Sequence, residues 1–170
     1  MSSSTADSVG ESRITAAVVT VSDSCARGER ADVSGPAVAQ SLEKLNVEVV
    51  SREVVHDDVN QIKELLIRLA RGARLIVTTG GTGIAPRDVT PEATIAVCDR
   101  LIPGVAERMR SEGTKKTPLA ALSRAVCGFR GTTLILNLPG SPSGAIESLE
   151  AVAGLIPHMI DLLSGKTEHK

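Results

Sequence analysis

The chain has 170 residues, enough for one domain with a sizeable hydrophobic core, and its helix and strand signals are spread evenly along it. Nineteen basic residues nearly balance twenty acidic ones, so no global positive field attracts nucleic acid or a membrane surface. The absence of Trp and Tyr, with a single Phe, nearly excludes recognition of nucleic-acid bases by stacked aromatic side chains.

The two ends of the chain are polar. We predict a tail over residues 1–12, which is rich in Ser and lacks the apolar segment of a signal peptide. A second tail is predicted over residues 166–170, which leaves residues 13–165 as one domain. No apolar run is long enough to span a membrane, so we expect a cytoplasmic protein.

The cysteines support the same location. Their number is odd and their wide spacing shows no zinc-ligand pairing, which indicates free thiols in a reducing compartment. The three residues are Cys25, Cys98 and Cys127.

The first predicted element is a buried strand over residues 14–21, ITAAVVTV. Ser22 and Asp23 follow it directly, and strand ends of this kind carry ligands in open α/β sheets. A helix over residues 37–45 is predicted next, with Ser34 as its N-cap. Composition alone favours ordinary loop polarity for the polar side chains of this segment.

A second strand and helix follow. The strand covers residues 47–55, and Asp58 is predicted to cap a helix that ends at Gly72. Its apolar face contains Val59, Ile62, Leu66 and Leu69. Between strand and helix lie His56 and Asp57, on the same edge of the sheet as Ser22. His56 has no second His or Cys at ligand spacing, so we interpret it as a loop residue.

The segment over residues 75–94 combines a strand, clustered glycines and a carboxylate. A β-branched strand over residues 75–79 leads into a turn made of Gly80, Gly81, Thr82 and Gly83. Glycines let backbone amides approach an anion closely, yet the spacing matches neither a Walker loop nor a dinucleotide-binding turn. Thr90 is predicted as the N-cap of a helix with Pro91 first, so Asp88 precedes the helix start. A purely structural turn is the alternative interpretation.

Two expectations follow for this edge of the sheet. Asp57 and Asp88 should point toward one place, and one or two carboxylates with phosphate oxygens and water form the usual Mg²⁺ site. Because the glycine turn lies outside the predicted core, we expect Gly81→Val to obstruct a ligand without unfolding the domain.

In the second half, the helix is predicted to continue through residues 94–101 and to break at Pro103 and Gly104 before a helical piece over residues 105–110. The turn at Arg130 and Gly131 predicts a hairpin with a strand over residues 132–138.

A loop follows that contains Pro139, Gly140 and Ser141, at a fourth strand end. The last helical region covers residues 145–163, with Pro157 forcing a kink or a split after Ile156. The pattern as a whole predicts a three-layer αβα sandwich with a mostly parallel, mixed sheet.

Three segments resemble a known family. TTGGTGIAPRDVTPEAT, residues 78–94, closely resembles the signature of the molybdopterin adenylyltransferases of molybdenum cofactor biosynthesis, the Mog family, whose eukaryotic relatives include gephyrin. TVSDSCARGERADVSGP, residues 20–36, is similar to the first motif of that family. The stretch from IPGVAERMR to NLPGSPSG, residues 102–144, is also similar and favours the Mog branch over the related MoaB branch.

The resemblance implies a molybdopterin-binding fold, a homotrimer and a reaction. In that reaction Mg²⁺-dependent transfer of AMP from ATP to the terminal phosphate of molybdopterin gives adenylylated molybdopterin and pyrophosphate. By motif, Asp88 is the strongest catalytic and metal-binding candidate and Asp57 the second. The family usually has Pro at the position of His56, which leaves Asp58 as an alternative register for Asp57.

The matching pocket motifs imply a set of substrate-binding residues that the resemblance does not divide between pterin and nucleotide. They are Ser22, Asp23, Gly80, Gly81, Thr82, Gly83, Ser123, Arg124, Pro139, Gly140 and Ser141. Two alternatives remain: a molybdopterin-binding carrier of the MoaB type without catalysis, and a scaffold module. The presence of both Asp57 and Asp88 favours the enzyme.

Overall fold

The computed structural model describes residues 12–166. Six strands form one sheet: β1 (Thr15–Val21), β2 (Glu48–Val55), β3 (Leu75–Thr79), β4 (Arg100–Leu101), β5 (Cys127–Arg130) and β6 (Thr133–Leu138). Their order across the sheet is β2-β1-β3-β6-β5-β4. The first four strands in this order are parallel, whereas β5 is antiparallel to β6 and β4 is antiparallel to β5. The predicted mixed, mostly parallel sheet is confirmed.

Residues 12–166 contain seven helices: α1 (Asp23–Ala26), α2 (Ser34–Lys44), α3 (Val59–Leu69), α4 (Thr90–Val97), α5 (Pro103–Thr114), α6 (Pro142–Val152) and α7 (Ile156–Leu163). Two 3-10 turns lie at Pro118–Leu122 and Ala153–Leu155. None of the helices within residues 12–166 is long and apolar enough to cross a membrane.

The core has two halves, one on each face of the sheet. Strand residues alternate between the faces: in β3, Leu75 and Val77 pack with α2, α5, α6 and α7, whereas Ile76 packs with α3 and α4. All three side chains are fully buried. Burial on both faces explains why β3 has a continuous apolar sequence, and the predicted three-layer arrangement is confirmed.

Two predicted N-caps are wrong by one residue. Ser34 and Thr90 are the first residues of α2 and α4, and the N-cap positions are Val33 and Val89. Both hydroxyl groups are buried and bind partners in neighbouring elements. Ser34 Oγ shares a hydrogen bond of 2.9 Å with Thr79 Oγ1, and Thr90 Oγ1 donates to the Gly80 carbonyl at 2.9 Å. The caps at Asp58 and Ser141 are conventional, since each accepts from an amide three residues later.

The helix predicted through residues 94–101 is also wrong, because α4 ends at Val97 and β4 begins at Arg100 after two connecting residues. Here pairing with β5 outweighs helix continuation: Arg100 lies opposite Phe129, with its guanidinium carbon 5.2 Å from the ring centre.

The last helical region splits, but not after Ile156 as predicted: α6 starts at Pro142, the break is the Ala153–Leu155 turn, and α7 begins at Ile156 with Pro157 in its first turn. Most of the predicted tails, residues 1–12 and 166–170, lies outside the described residues, so the boundaries of the domain at 13–165 remain a prediction.

One buried amide side chain connects the sheet to its surroundings. Asn137, on β6, is 0% exposed, and its Nδ2 donates to the hydroxyls of Thr78 and Thr94 at 3.0 Å each. Its Oδ1 accepts from the Val126 amide at 3.2 Å. The side chain therefore joins β3, α4 and the segment before β5, and leaves no polar atom of its own unsatisfied.

We predict that Asn137→Leu lowers the free energy of unfolding by roughly 3 kcal/mol, because it leaves a buried amide and two buried hydroxyls without this partner. Asn60→Leu is the matched control, since Asn60 is exposed on α3. Urea denaturation of both variants measures the difference. Equal stability of the two variants would contradict the structural role of Asn137.

Candidate active site

Many of the predicted site residues follow the carboxyl ends of the four parallel strands and therefore lie at one edge of the sheet. Ser22 and Asp23 follow β1, Asp57 follows β2, the glycine turn follows β3, and the loop with Gly140 follows β6. This is the edge at which open α/β sheets bind ligands, because the connecting loops there leave a crevice between them.

Two clefts open at this edge. The first, which we call the α2 cleft, has a volume of about 350 Å³ and is lined by residues that include Ser22, Arg30, Ser34, Gly80, Gly140 and Ser141. The second, the glycine cleft, has a volume of about 530 Å³ and is lined by residues that include Gly81, Gly83, Asp88, Ser123, Pro139 and Ser141. Both volumes lie in the usual range for small-molecule sites.

The clefts share a ridge of backbone. Gly140 and Ser141 line both clefts, and a Cβ on Gly140 would come within 3.3 Å of the Gly80 Cα. Only a thin wall therefore separates the two spaces. Two molecules bound in the two clefts would meet at this ridge.

The glycine turn presents backbone donors to the glycine cleft, although fewer than predicted. The Gly80 amide donates to the Leu138 carbonyl at 3.1 Å, so it is not available to a ligand. Within residues 12–166, the amides of Gly81, Thr82 and Gly83 have no acceptor. Gly80 and Gly81 have φ angles of +91° and +67°, which require glycine. Three consecutive open amides form a site suited to an anion.

The expectation for Gly81→Val is wrong. A Cβ on Gly81 would overlap the hydroxyl of Thr90, which is fully buried, and would lie 3.2 Å from Asp57 Oδ1. The positive φ adds strain for any other residue. This glycine is therefore part of the packing under the turn, and its substitution disturbs the fold as well as the ligand site.

Asp23 does not line either cleft, because its carboxylate is used within the protein. Its Oδ1 accepts from the Asp57 amide and from His56 Nδ1, both at 3.1 Å. Its Oδ2 accepts two hydrogen bonds from Arg87, at 2.9 and 2.6 Å. The Arg87 hydrogen bonds are the main reason that the pKa of Asp23 is below its usual value. The carboxylate of Asp23 therefore has a positioning role here, and its predicted substrate-binding role stays a prediction.

The residue that Asp23 positions is Asp57, whose Oδ2 accepts from the Asp23 amide at 2.9 Å. Burial raises the pKa of the Asp57 carboxyl, and the negative charges of Asp23 and Asp88 raise it further. A cation near Asp57 would relieve both the burial cost and this repulsion.

Asp88 lies in the glycine cleft, and its Oδ2 accepts from the Ala85 amide at 3.0 Å. Asp57 lines neither cleft, although its Oδ1 lies near Gly81, which lines the glycine cleft. Residues 12–166 contain no cluster of three or more metal-binding side chains. Because Mg²⁺ takes one or two carboxylates and completes its shell with phosphate oxygens and water, the metal-binding role of Asp57 and Asp88 stays a prediction. Asp58 caps α3 with its carboxylate, which favours Asp57 over Asp58 as the partner in this pair.

Ser123 and Arg124 differ in their roles although they are adjacent. Ser123 lines the glycine cleft, as the motif implied. Arg124 lines neither cleft, and its side chain binds the carbonyls of Gly83 and Asp88 and the carboxylate of Glu92. This geometry does not favour a direct contact between Arg124 and the substrate.

Sequence patterns missed several residues at this edge. Arg30 lines the α2 cleft, and its guanidinium has no hydrogen-bond acceptor within the described chain. Leu119 and Leu122, which are 69% and 49% exposed, form an apolar wall of the glycine cleft. A single arginine in a loop gives no sequence pattern from which a binding role can be predicted. The two leucines, in contrast, stand next to Thr117-Pro118, which marks the start of the 3-10 turn.

Comparisons with known proteins agree with this geometry. The family described as a probable molybdopterin binding domain matches residues 17–158. A molybdopterin adenylyltransferase from Helicobacter pylori strain J99 is 43% identical over 152 residues, which cover 87% of this chain and 86% of that protein.

Two solved structures have the same fold. One is described as the molybdopterin biosynthesis enzyme MoaB from Thermus thermophilus, with 52% identity, a TM-score of 0.85 and coverage of 90% of this chain and 98% of that one. The other is a molybdopterin biosynthesis Mog protein from Mycobacterium ulcerans, with 39% identity, a TM-score of 0.84 and coverage of 91% and 99%. Names of both branches occur at high similarity, so the preference for the Mog branch stays a prediction.

The cysteines give a test of the described geometry. Burial raises the pKa of Cys98 to about 11 and that of Cys127 to about 12, whereas Cys25 lines the open α2 cleft. Since the thiolate is the reactive form, we predict that iodoacetamide at pH 8 modifies Cys25 first. Peptide mass spectrometry over time measures the order. Cys25→Ser should remove the fast phase, and rapid modification of Cys98 or Cys127 in the folded protein would contradict it.

Proposed function

The chain belongs to the molybdopterin-binding family of molybdenum cofactor biosynthesis and is related over most of its length to molybdopterin adenylyltransferases, and from this premise we propose that it transfers AMP from Mg–ATP to the terminal phosphate of molybdopterin. The observation that carries the proposal is the pair of clefts that share the ridge at Gly140 and Ser141. A transfer between two bound molecules needs them to meet at one point, which an adjoining pair of sites provides.

The chemistry requires positioning and charge neutralisation, with no nucleophile from the protein. An oxygen of the molybdopterin phosphate attacks the α-phosphorus of ATP, the bond from that phosphorus to the bridging oxygen breaks, and pyrophosphate leaves. The open amides of Gly81, Thr82 and Gly83 would donate hydrogen bonds to phosphate oxygens that gain charge. Asp57 and Asp88 would hold Mg²⁺, which supplies neutralisation of phosphate charge when it is bound.

The proposed anionic substrates also explain the cations at this edge. Arg30 stands at the mouth of the α2 cleft without a carboxylate partner in the described chain. Arg87 is already paired with Asp23 and is therefore less available to a ligand. The local charge thus differs between the clefts, although the whole chain is nearly neutral.

The alternative is a molybdopterin-binding carrier of the MoaB type, for which the clefts would suffice. The direct test is incubation of the purified protein with molybdopterin, ATP and Mg²⁺ and measurement of released pyrophosphate. Release that depends on all three components supports the enzyme. Tight molybdopterin binding without pyrophosphate release would support the carrier.

We predict that Asp88→Asn lowers turnover at least about a hundredfold, because the loss of one charge removes a main electrostatic contribution to the transition state. Asp57→Asn should behave alike, since the amide can still accept from the Asp23 amide while the charge is lost. The double variant should be little worse than either single one if the two carboxylates form one metal site.

The matched control is Asp58→Asn, because Asn caps a helix as well as Asp does. This variant should keep normal pyrophosphate release, and a loss equal to that of Asp57→Asn would point to the alternative register. The proposed roles of the two aspartates would be wrong if Asp88→Asn retained near-normal turnover at saturating Mg²⁺.

We also propose a homotrimer located in the cytoplasm. The assembly follows from the family resemblance, and β2 at the sheet edge exposes Val50 and Val54. The location is supported by three free thiols, two of them with raised pKa values. Sedimentation equilibrium at micromolar concentration should give three times the mass of the 17.7 kDa chain. A monomer under these conditions would contradict the assembly.

A further inference from the structure

Arg124 makes four hydrogen bonds around the loop that carries the open amides. Its backbone amide donates to the Thr82 carbonyl at 2.7 Å. In its side chain, Nε donates to the Gly83 carbonyl at 2.7 Å, and Nη2 donates to the Asp88 carbonyl at 2.8 Å. The remaining nitrogen, Nη1, pairs with the carboxylate of Glu92 in the first turn of α4. One residue therefore holds both ends of the loop.

The partners of the carbonyls in this loop, which include Arg124 and Thr90, determine where its amides point. In a trans peptide group the carbonyl and the N–H that follows it point in opposite directions. The carbonyls of Thr82 and Gly83 bind Arg124, and those of Gly80 and Gly81 bind the hydroxyl and the amide of Thr90. All four carbonyls are therefore held on the protein side. The carbonyls of residues 80–82 are followed by the amides of residues 81–83. These amides therefore point in the opposite direction, toward the glycine cleft that residues 81–83 line.

Arg124 also connects the two walls of that cleft. The glycine turn forms one wall, and the 3-10 turn at Pro118–Leu122, which ends two residues before Arg124, supplies Leu119 and Leu122 to the other. The hydrogen bonds of Arg124 to the glycine turn thus fix the distance between the walls. A shift of about 1 Å in such a site is enough to cost a hundredfold in rate.

We propose that Arg124 is a positioning residue whose side chain, paired with Glu92, immobilises the loop that carries the open amides by holding the Gly83 and Asp88 carbonyls, and does not itself bind substrate. The inference deepens the proposed AMP transfer and rests on it for its kinetic consequences. Its structural consequence, the immobility of the loop, is independent of any reaction.

Kinetics distinguish positioning from direct contact. Arg124→Lys keeps the charge, but one ammonium group cannot reach the Gly83 and Asp88 carbonyls and Glu92 together. We expect kcat to fall about 10- to 100-fold with a smaller change in KM, since the amides act on charge that develops in the transition state. Glu92→Gln should shift kcat in the same direction but less.

Direct binding of a phosphate by Arg124 predicts the opposite pattern. Arg124→Lys would then keep most of kcat, and Glu92→Gln would release the guanidinium and lower KM for ATP. Either result would overturn the proposal. Because Glu92 is half exposed and lines neither cleft, its variant remains informative even if Arg124→Lys is poorly folded.

Hydrogen exchange of the ligand-free protein tests the loop without any substrate. The amides of Asp88 and Thr90 donate to the Ala85 and Gly81 carbonyls, so they should exchange at least about tenfold faster in Arg124→Lys than in the wild type. Arg74→Lys is the control, because Arg74 also donates to a backbone carbonyl but at the opposite end of β3. Unchanged exchange in Arg124→Lys overturns the inference. Failure of the wild type to release pyrophosphate would overturn only the proposed function.

Discussion

The orientation of a few peptide groups between β3 and α4 is the constraint on which the site depends. A peptide group cannot point both of its polar atoms into the same cleft, so each amide that is offered to a ligand requires a carbonyl that is satisfied elsewhere. Thr90, nine and ten residues further along the chain, binds the carbonyls of Gly81 and Gly80. Arg124, more than forty residues further along, binds those of Thr82 and Gly83. The anion site is therefore a product of the tertiary structure, although glycines make it sterically possible.

At the same edge, the charge state of Asp57 depends on the charged side chains around it. Asp57 lies close to Asp23 and Asp88, and burial together with their charges disfavours its ionised form. Arg87 reduces the repulsion by pairing with Asp23, which fixes Asp57 through two reciprocal backbone contacts. The negative charges beside Asp57 disfavour a bare phosphate there, so this part of the edge suits phosphate ligands that arrive with a divalent cation.

Much of the fold could be predicted from the sequence, because its signals are local. The strand at residues 75–79 and the cap at Asp58 both occur where the pattern placed them. The errors arose where distant partners compete with local preferences. Ser34 and Thr90 are good capping residues by type, yet each hydroxyl binds a buried acceptor in another element. Residues 100–101 form a strand instead of the predicted helix, because they pair with residues almost thirty positions later in the chain.

For the site, motifs identified segments that meet at one edge of the sheet, but not which of their side chains line the clefts. A motif is a run of neighbours, and nothing in it shows that Asp23 turns to Arg87, or that Arg124 turns to the carbonyls of the glycine turn. Asp88, in contrast, lines the glycine cleft where its motif suggested, since a residue just before a helix start has little freedom to move away. Placement relative to local structure is thus predictable, whereas partners across the fold are not.

The arrangement around Asp57 bears on its proposed metal-binding role. A carboxyl whose pKa is raised by burial and by neighbouring carboxylates destabilises the folded state at neutral pH, because the ionised form is less stable there than in the unfolded chain. A bound cation would reverse this effect, because its charge would stabilise the ionised carboxylate. The proposed AMP transfer brings such a cation with ATP, so the raised pKa of Asp57 agrees with the metal-binding role proposed for it.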